Sequence, residues 1–161
     1  TSKSSTCIQT KSDLIVRDID ILQRMKNVEV GFTINTMDEA IARKLEPGAP
    51  SPQRRVEALR QLSDAGLKTW VFLGPVIPQI NDSPDLLKDT IQQVKDAGAG
   101  RLMSDRLRLK PHLEERLRPL FGNEKASQIF RLANNVEWYD NIGFEIKILC
   151  DRVGLVVEKA F

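Results

Sequence analysis

Lys11, Thr33, Asn35 and the Gly74-Pro75 pair are the residues of this sequence whose types and spacing suggest chemistry. Each closes or follows a short apolar or β-branched run. Lys11-Ser12 follows Thr6-Cys7-Ile8-Gln9-Thr10, and Thr33-Ile34-Asn35-Thr36 ends a run that begins at Val28. Gly74-Pro75-Val76-Ile77-Pro78 and then Asn81-Asp82 follow Thr69-Trp70-Val71-Phe72-Leu73. A lysine suits a carboxylate as a point charge. Thr33 and Asn35 offer hydrogen bonds to hydroxyls, and a glycine lets a flat heterocycle approach the main chain. Ser104-Asp105-Arg106 adds charged groups in a fourth run. The plainer alternative is that Lys11-Ser12 and Asn35-Thr36 are solvated turn starts and helix caps, and residue types alone leave both readings open.

The elements that must position these residues alternate. Four strand candidates are Thr6–Thr10, Val28–Ile34, Thr69–Leu73 and Arg101–Leu109, the last alternating charged with apolar residues. Between them lie helical patterns. One opens at Asp13 or Asp18 with Ile19, Leu22 and Met25 at spacings of three, and a short one runs from Met37 to Leu45 before Pro47-Gly48. Ser51-Pro52 and Ser83-Pro84 repeat an N-cap followed by a proline in the first helical turn. Val56, Leu59, Leu62 and Ala65 stripe the first of these helices, and Leu86, Leu87, Ile91 and Val94 the second. Strand–helix alternation predicts a parallel sheet with right-handed crossovers, either part of a (β/α) barrel or an open doubly wound sheet. Both place chemistry at the carboxyl ends of the strands. Residues 1–109 carry this pattern; residues 110–161 read as a mainly helical extension packing on it. Its helices are expected over Leu113–Phe121, Glu124–Ala133 and Glu137–Val153, with a short strand at Leu155-Val156-Val157.

Composition excludes some classes. A net charge of +2 is too small to argue for nucleic acid or acidic membranes. No apolar run reaches bilayer length and no signal pattern opens the chain, so a cytoplasmic location with reduced thiols is expected. Cys7, Cys150 and the single histidine, His112, have no metal-ligand spacing.

The stretches Thr10-Lys11-Ser12, Phe32-Thr33-Ile34-Asn35-Thr36 and Leu45-Glu46-Pro47-Gly48, with Arg55-Val56-Glu57-Ala58, resemble the spore photoproduct lyase-like branch of the radical S-adenosylmethionine (SAM) enzymes. Gly74-Pro75-Val76-Ile77-Pro78 with Asn81-Asp82 is similar to the loop after the fifth strand of that family. The resemblance covers about Thr6 to Leu109. It implies strands three to six of a partial six-stranded (β/α) barrel, a partial TIM barrel. It implies SAM as cofactor, with Lys11 helping to hold it, Thr33 and Asn35 on the same ligand, and Gly74 and Pro75 near the adenine. Arg55 is expected to pair with Glu46 and fix its loop. The parent enzyme is expected to cleave SAM reductively with a 4Fe-4S cluster and abstract hydrogen from a substrate, damaged DNA being the family's example.

The family holds its cluster in a Cys-x-x-x-Cys-x-x-Cys loop after the first strand, and the sequence contains none. With Thr1 first instead of Met, an N-terminal piece of a larger enzyme is expected to be missing, and to be this chain's partner. No cofactor is expected on the chain alone, and its catalytic residues are unassigned. The exposed edge of the first strand invites a homodimer. The alternative is a non-catalytic binding domain that meets nucleic acid through Arg101, Arg106, Arg108, Lys110, Arg116 and Arg118, although Glu114 and Glu115 interrupt them and no aromatics interleave. Two separated cysteines cannot give the three thiolates of a site-differentiated cluster. Reconstitution of the chain with iron and sulfide is therefore expected to leave no stable, stoichiometric charge-transfer absorption.

Overall fold

The computed structural model describes residues 5–159. Its centre is a five-stranded sheet in the order β1-β2-β3-β4-β5, with every neighbouring pair parallel. The strands are β1 (Thr6–Thr10), β2 (Val28–Thr33), β3 (Lys68–Val76), β4 (Arg101–Arg106) and β5 (Val156–Lys159). A 3-10 turn over Asp13–Asp18 leads into α1 (Ile19–Arg24), and α2 (Glu39–Leu45), α3 (Pro52–Asp64) and α4 (Pro84–Asp96) fill the next crossovers. Then come α5 (Leu113–Phe121), α6 (Asn123–Ala133) and α7 (Val136–Val153), the last returning the chain to β5.

The helix starts follow their caps. Ser51 and Ser83 each accept a hydrogen bond from the backbone three residues on, with proline at the first helical position. The helix expected from Met37 begins at Glu39 instead, because Asp38 accepts from the Ile41 amide and sets the start there. Ser12 caps the 3-10 turn as the plainer alternative had it, accepting from the Leu14 amide, whereas Thr36 is buried and accepts from the Asp38 amide in a turn that precedes the cap.

Register assigns the two faces. Ile8, Val30 and Thr69 share a level, as do Phe32 and Val71 and then Leu102, and these side chains face the helices. There they meet Leu59 and Leu62 of α3, Leu87, Ile91 and Val94 of α4, and Ile146, Leu149 and Cys150 of α7 in one core. The C-terminal extension thus contributes to the main core through α7 and to the sheet through β5. A smaller apolar cluster joins Ile77 and Ile80 after β3 to Leu107, Leu117, Ala126 and Ile129.

The opposite, inner face carries Cys7 and Gln9, Glu29, Gly31 and Thr33, Trp70 and Phe72, then Arg101 and Met103. β1 forms one edge of the sheet, with Thr6, Cys7 and Gln9 exposed and Ile8 half-buried. No helix among the described residues is long and apolar enough to cross a membrane.

Gly31 is required by its neighbour: a Cβ there would overlap the Trp70 indole lying across it. Gly31→Ala is expected to cost about 1–3 kcal/mol from overpacking. The Gly31→Ala/Trp70→Leu double variant should lose less than the sum of the single losses, measured by urea denaturation.

Candidate functional site

Parallel pairing brings every strand's carboxyl end to one edge of the sheet, and a polar network is built there. Arg55, from the second turn of α3, is 2% exposed, so its charge must be met inside the protein. It donates to the carbonyl of Thr33 at 2.8 Å and to that of Pro50 at 2.9 Å, and its Nη1 lies 2.7 Å from Glu46 Oε2. The expected Arg55–Glu46 pair is therefore present. Glu46 also reaches across to β1, where Lys11 Nζ lies 2.8 Å from Oε1. Two cations share one carboxylate, and this cluster of three carries a surplus of one positive charge. Arg55 is enclosed, whereas Lys11 is half exposed and displays that surplus to solvent.

Asn35 ties this cluster to β3. Its Nδ2 donates to Glu46 Oε1 at 3.4 Å and its Oδ1 accepts from the Gly74 amide at 3.1 Å. An extra residue in β3 shifts its register against β4 between Leu73 and Val76, so Gly74 and Pro75 lie where the ladder is interrupted. Asn81 holds that bulge in place of the ladder. Its Nδ2 donates to the carbonyls of Asn35 and Pro75, and its Oδ1 accepts from the Ile77 amide at 2.7 Å. The strand accordingly extends past the expected Leu73 to Val76. Gly74 has a packing reason as well, since a Cβ there would fall 2.5 Å from the Phe72 ring.

Lys11, Asn35, Gly74 and Pro75 thus belong to one bonded network, and Thr33 joins it through its carbonyl. The Thr33 hydroxyl, on a residue 4% exposed, accepts from Gln9 Nε2 at 3.1 Å. Gln9 was not singled out in the sequence. The period-two alternation of Cys7, Gln9 and Lys11 along β1 was the signal that could have found it. Asp105, on the inner face of β4, does not join the network; it accepts from the Arg106 amide at 2.8 Å and from Arg108 at 3.4 Å.

The basic residues of the alternative reading are mostly engaged within the chain. Arg101 pairs with Glu29 and Glu158, and Arg118 with Glu114. Arg106 lies 5.5 Å over the Tyr139 ring. Burial, and secondarily the Asp105 charge, hold the Tyr139 hydroxyl above its usual pKa. Neither cysteine is placed for a cluster. Cys7 is exposed on β1, while Cys150 is buried in α7, where burial pushes its thiol up to about 11. Among the described residues no three His, Cys, Asp or Glu side chains group to hold a metal ion.

The network makes unequal demands on its members. Glu46→Gln leaves the enclosed Arg55 charge unpaired and is expected to destabilise by about 3–5 kcal/mol. Lys11→Ala, at a half-exposed pair, should cost less than about 1 kcal/mol. Urea unfolding of the two variants side by side checks the contrast.

Known proteins carry the same sheet. Spore photoproduct lyase complexed with dinucleoside spore photoproduct superposes with a TM-score of 0.74 at 14% identity, covering 99% of this chain and 52% of that one. A variant of the lyase with bound AdoMet and the same dinucleoside gives a TM-score of 0.74 at 13% identity, covering 100% and 52%. An uncharacterized protein of Methanocaldococcus jannaschii is 35% identical over 88 residues, which are 55% of this chain and 34% of that protein. One from Acidianus two-tailed virus is 33% identical over 104 residues, 62% of this chain and 35% of its own. The chain spans about a third of the length of these relatives and about half of the lyase. Residues 2–98 match the model of the Radical SAM superfamily. With more than half of the sequence inside that match and the parallel sheet of the lyase structures beneath it, the chain belongs to the Radical SAM superfamily.

Proposed function

We propose that the chain forms the SAM-binding half of a radical SAM barrel, in a parent enzyme whose 4Fe-4S cluster is held by cysteines outside this sequence. The observation that carries the reading is the Lys11–Glu46–Arg55 cluster, which presents one uncompensated ammonium at the carboxyl ends of parallel strands. Lys11 keeps donors to spare beside Glu46 and receives the carboxylate of SAM. Gln9 and Thr33 offer hydrogen bonds along the same inner face. The adenine lies against the backbone of Gly74 and Pro75, which the bulge removes from the ladder with β4. Asn35 acts by positioning, because both ends of its amide are spent on Glu46 and Gly74.

SAM, when bound, supplies hydrogen-abstraction chemistry on reductive cleavage. The residues of this chain orient it; they do not fit the cluster, which needs three thiolates that Cys7 and Cys150 cannot make. As substrate class we take a damaged nucleic acid. Support comes from the dinucleoside photoproduct held by the structurally similar lyase.

Equilibrium dialysis of the parent enzyme that carries this chain against labelled SAM is expected to show saturable binding. Lys11→Ala should weaken it about tenfold or more, the loss of a charge-assisted hydrogen bond, with little change in unfolding midpoint. No binding at millimolar SAM, or equal affinity for the variant, would overturn the reading.

A further inference from the structure

Gly74 and Pro75 have no register partner on either neighbouring strand. The pairing with β2 ends at Thr33 and Phe72, and the pairing with β4 skips from Leu73 to Val76. Glycine has the freest backbone of any residue, so a stretch that begins with one and lies outside the ladder needs another restraint. Two asparagine side chains supply it. Asn35 holds the Gly74 amide at 3.1 Å, and Asn81 holds the Pro75 carbonyl at 3.3 Å. Asn81 also donates to the main-chain carbonyl of Asn35 at 2.9 Å, so the two clamps are joined to each other.

A tight turn delivers Asn81 to this place. The amides of Ile80 and Asn81 both donate to the Ile77 carbonyl, which folds the segment back toward the end of β3. Ile77 and Ile80 seat the turn in the apolar cluster with Leu117 and Ile129. A carboxamide brings two N–H donors and one oxygen. In Asn81 the donors are occupied by Asn35 and Pro75, and the oxygen by the Ile77 amide at 2.7 Å. At 1% exposure the side chain does not reach a bound molecule. What it contributes to binding therefore comes through the backbone it fixes. A bulge already held in its bound shape need not be ordered by its ligand, and that favours affinity.

We infer that Asn81 is a positioning residue for the nucleoside end of the site, holding the Gly74-Pro75 backbone in the shape that a planar base meets. Lys11, at the carboxylate end, keeps its place through Glu46 instead. The inference rests on the reading that the adenine of SAM lies against this bulge.

The test is competition against labelled SAM in equilibrium dialysis of the parent enzyme that carries this chain. Methylthioadenosine probes the base end of the site and methionine the carboxylate end. Asn81→Asp keeps the size and the oxygen that meets Ile77, but removes both donors and sets a carboxylate against two carbonyls. It is expected to weaken methylthioadenosine about fivefold or more, the scale of one lost hydrogen bond. Methionine should change by less than about twofold, because the bonds of Lys11 and Glu46 are separate from those of Asn81. Asn81→Ser removes the carboxamide without adding charge; it should act in the same direction, and it covers the case in which the aspartate does not fold. Ile80→Ala lowers the urea midpoint from within the same turn while leaving the bonds of Asn81, and should leave both affinities in place.

Equal weakening of both probes, or as large a loss with Ile80→Ala, would make Asn81 a general stabiliser and overturn the inference. Unchanged methylthioadenosine affinity in both Asn81 variants would overturn it too, with the SAM reading left standing. If methylthioadenosine does not compete with SAM in the unaltered enzyme, the placement of the adenine fails and takes this inference with it.

Discussion

The enclosed guanidinium of Arg55 is the constraint around which the upper end of the sheet is organised. A charge that deep must be met on every side, and the chain meets it with one carboxylate and two carbonyls drawn from β2 and the α2–α3 loop. Glu46, once held there, becomes the anchor for Lys11 from β1 and for Asn35 after β2. Asn35 then fixes the Gly74 amide of β3. Three strand ends are thereby referenced to one buried ion pair, and the half-exposed ammonium of Lys11 is the part of it left facing outward.

This arrangement separates two kinds of residue that look alike in a sequence. Thr33, Asn35 and Lys11 are all polar residues at strand ends. Asn35 has both ends of its amide occupied and Thr33 gives its carbonyl to Arg55, so each is as much structural as available for binding. Lys11 differs because its partner already serves another cation. The same carboxylate that steadies it leaves the positive charge of the cluster uncancelled.

Much of the fold could be read from local signals, because those signals act locally. Ser51-Pro52 and Ser83-Pro84 mark helix starts through bonds that span three residues, and both starts fall where expected. The unbroken apolar run Thr69–Leu73 belongs to a strand of a parallel sheet with neighbours on both sides. The pairing of Lys11 with Glu46 joins residues 35 positions apart, and no local pattern announces it. The extension of β3 to Val76 was hidden by Gly74 and Pro75, which read as a strand's end and in fact sit at a bulge. Trp70 and Arg101 likewise looked like an ordinary apolar residue and a surface charge; only register stacks one upon the other.

Asn81 stands at the junction of two apolar masses. Its side chain grips Asn35 and Pro75 on one side, and the segment it closes sends Ile77 and Ile80 into the cluster beneath α5 and α6. The loop thus belongs to both masses at once: the residues that place the backbone of Pro75 adjoin the residues that seat α5 and α6.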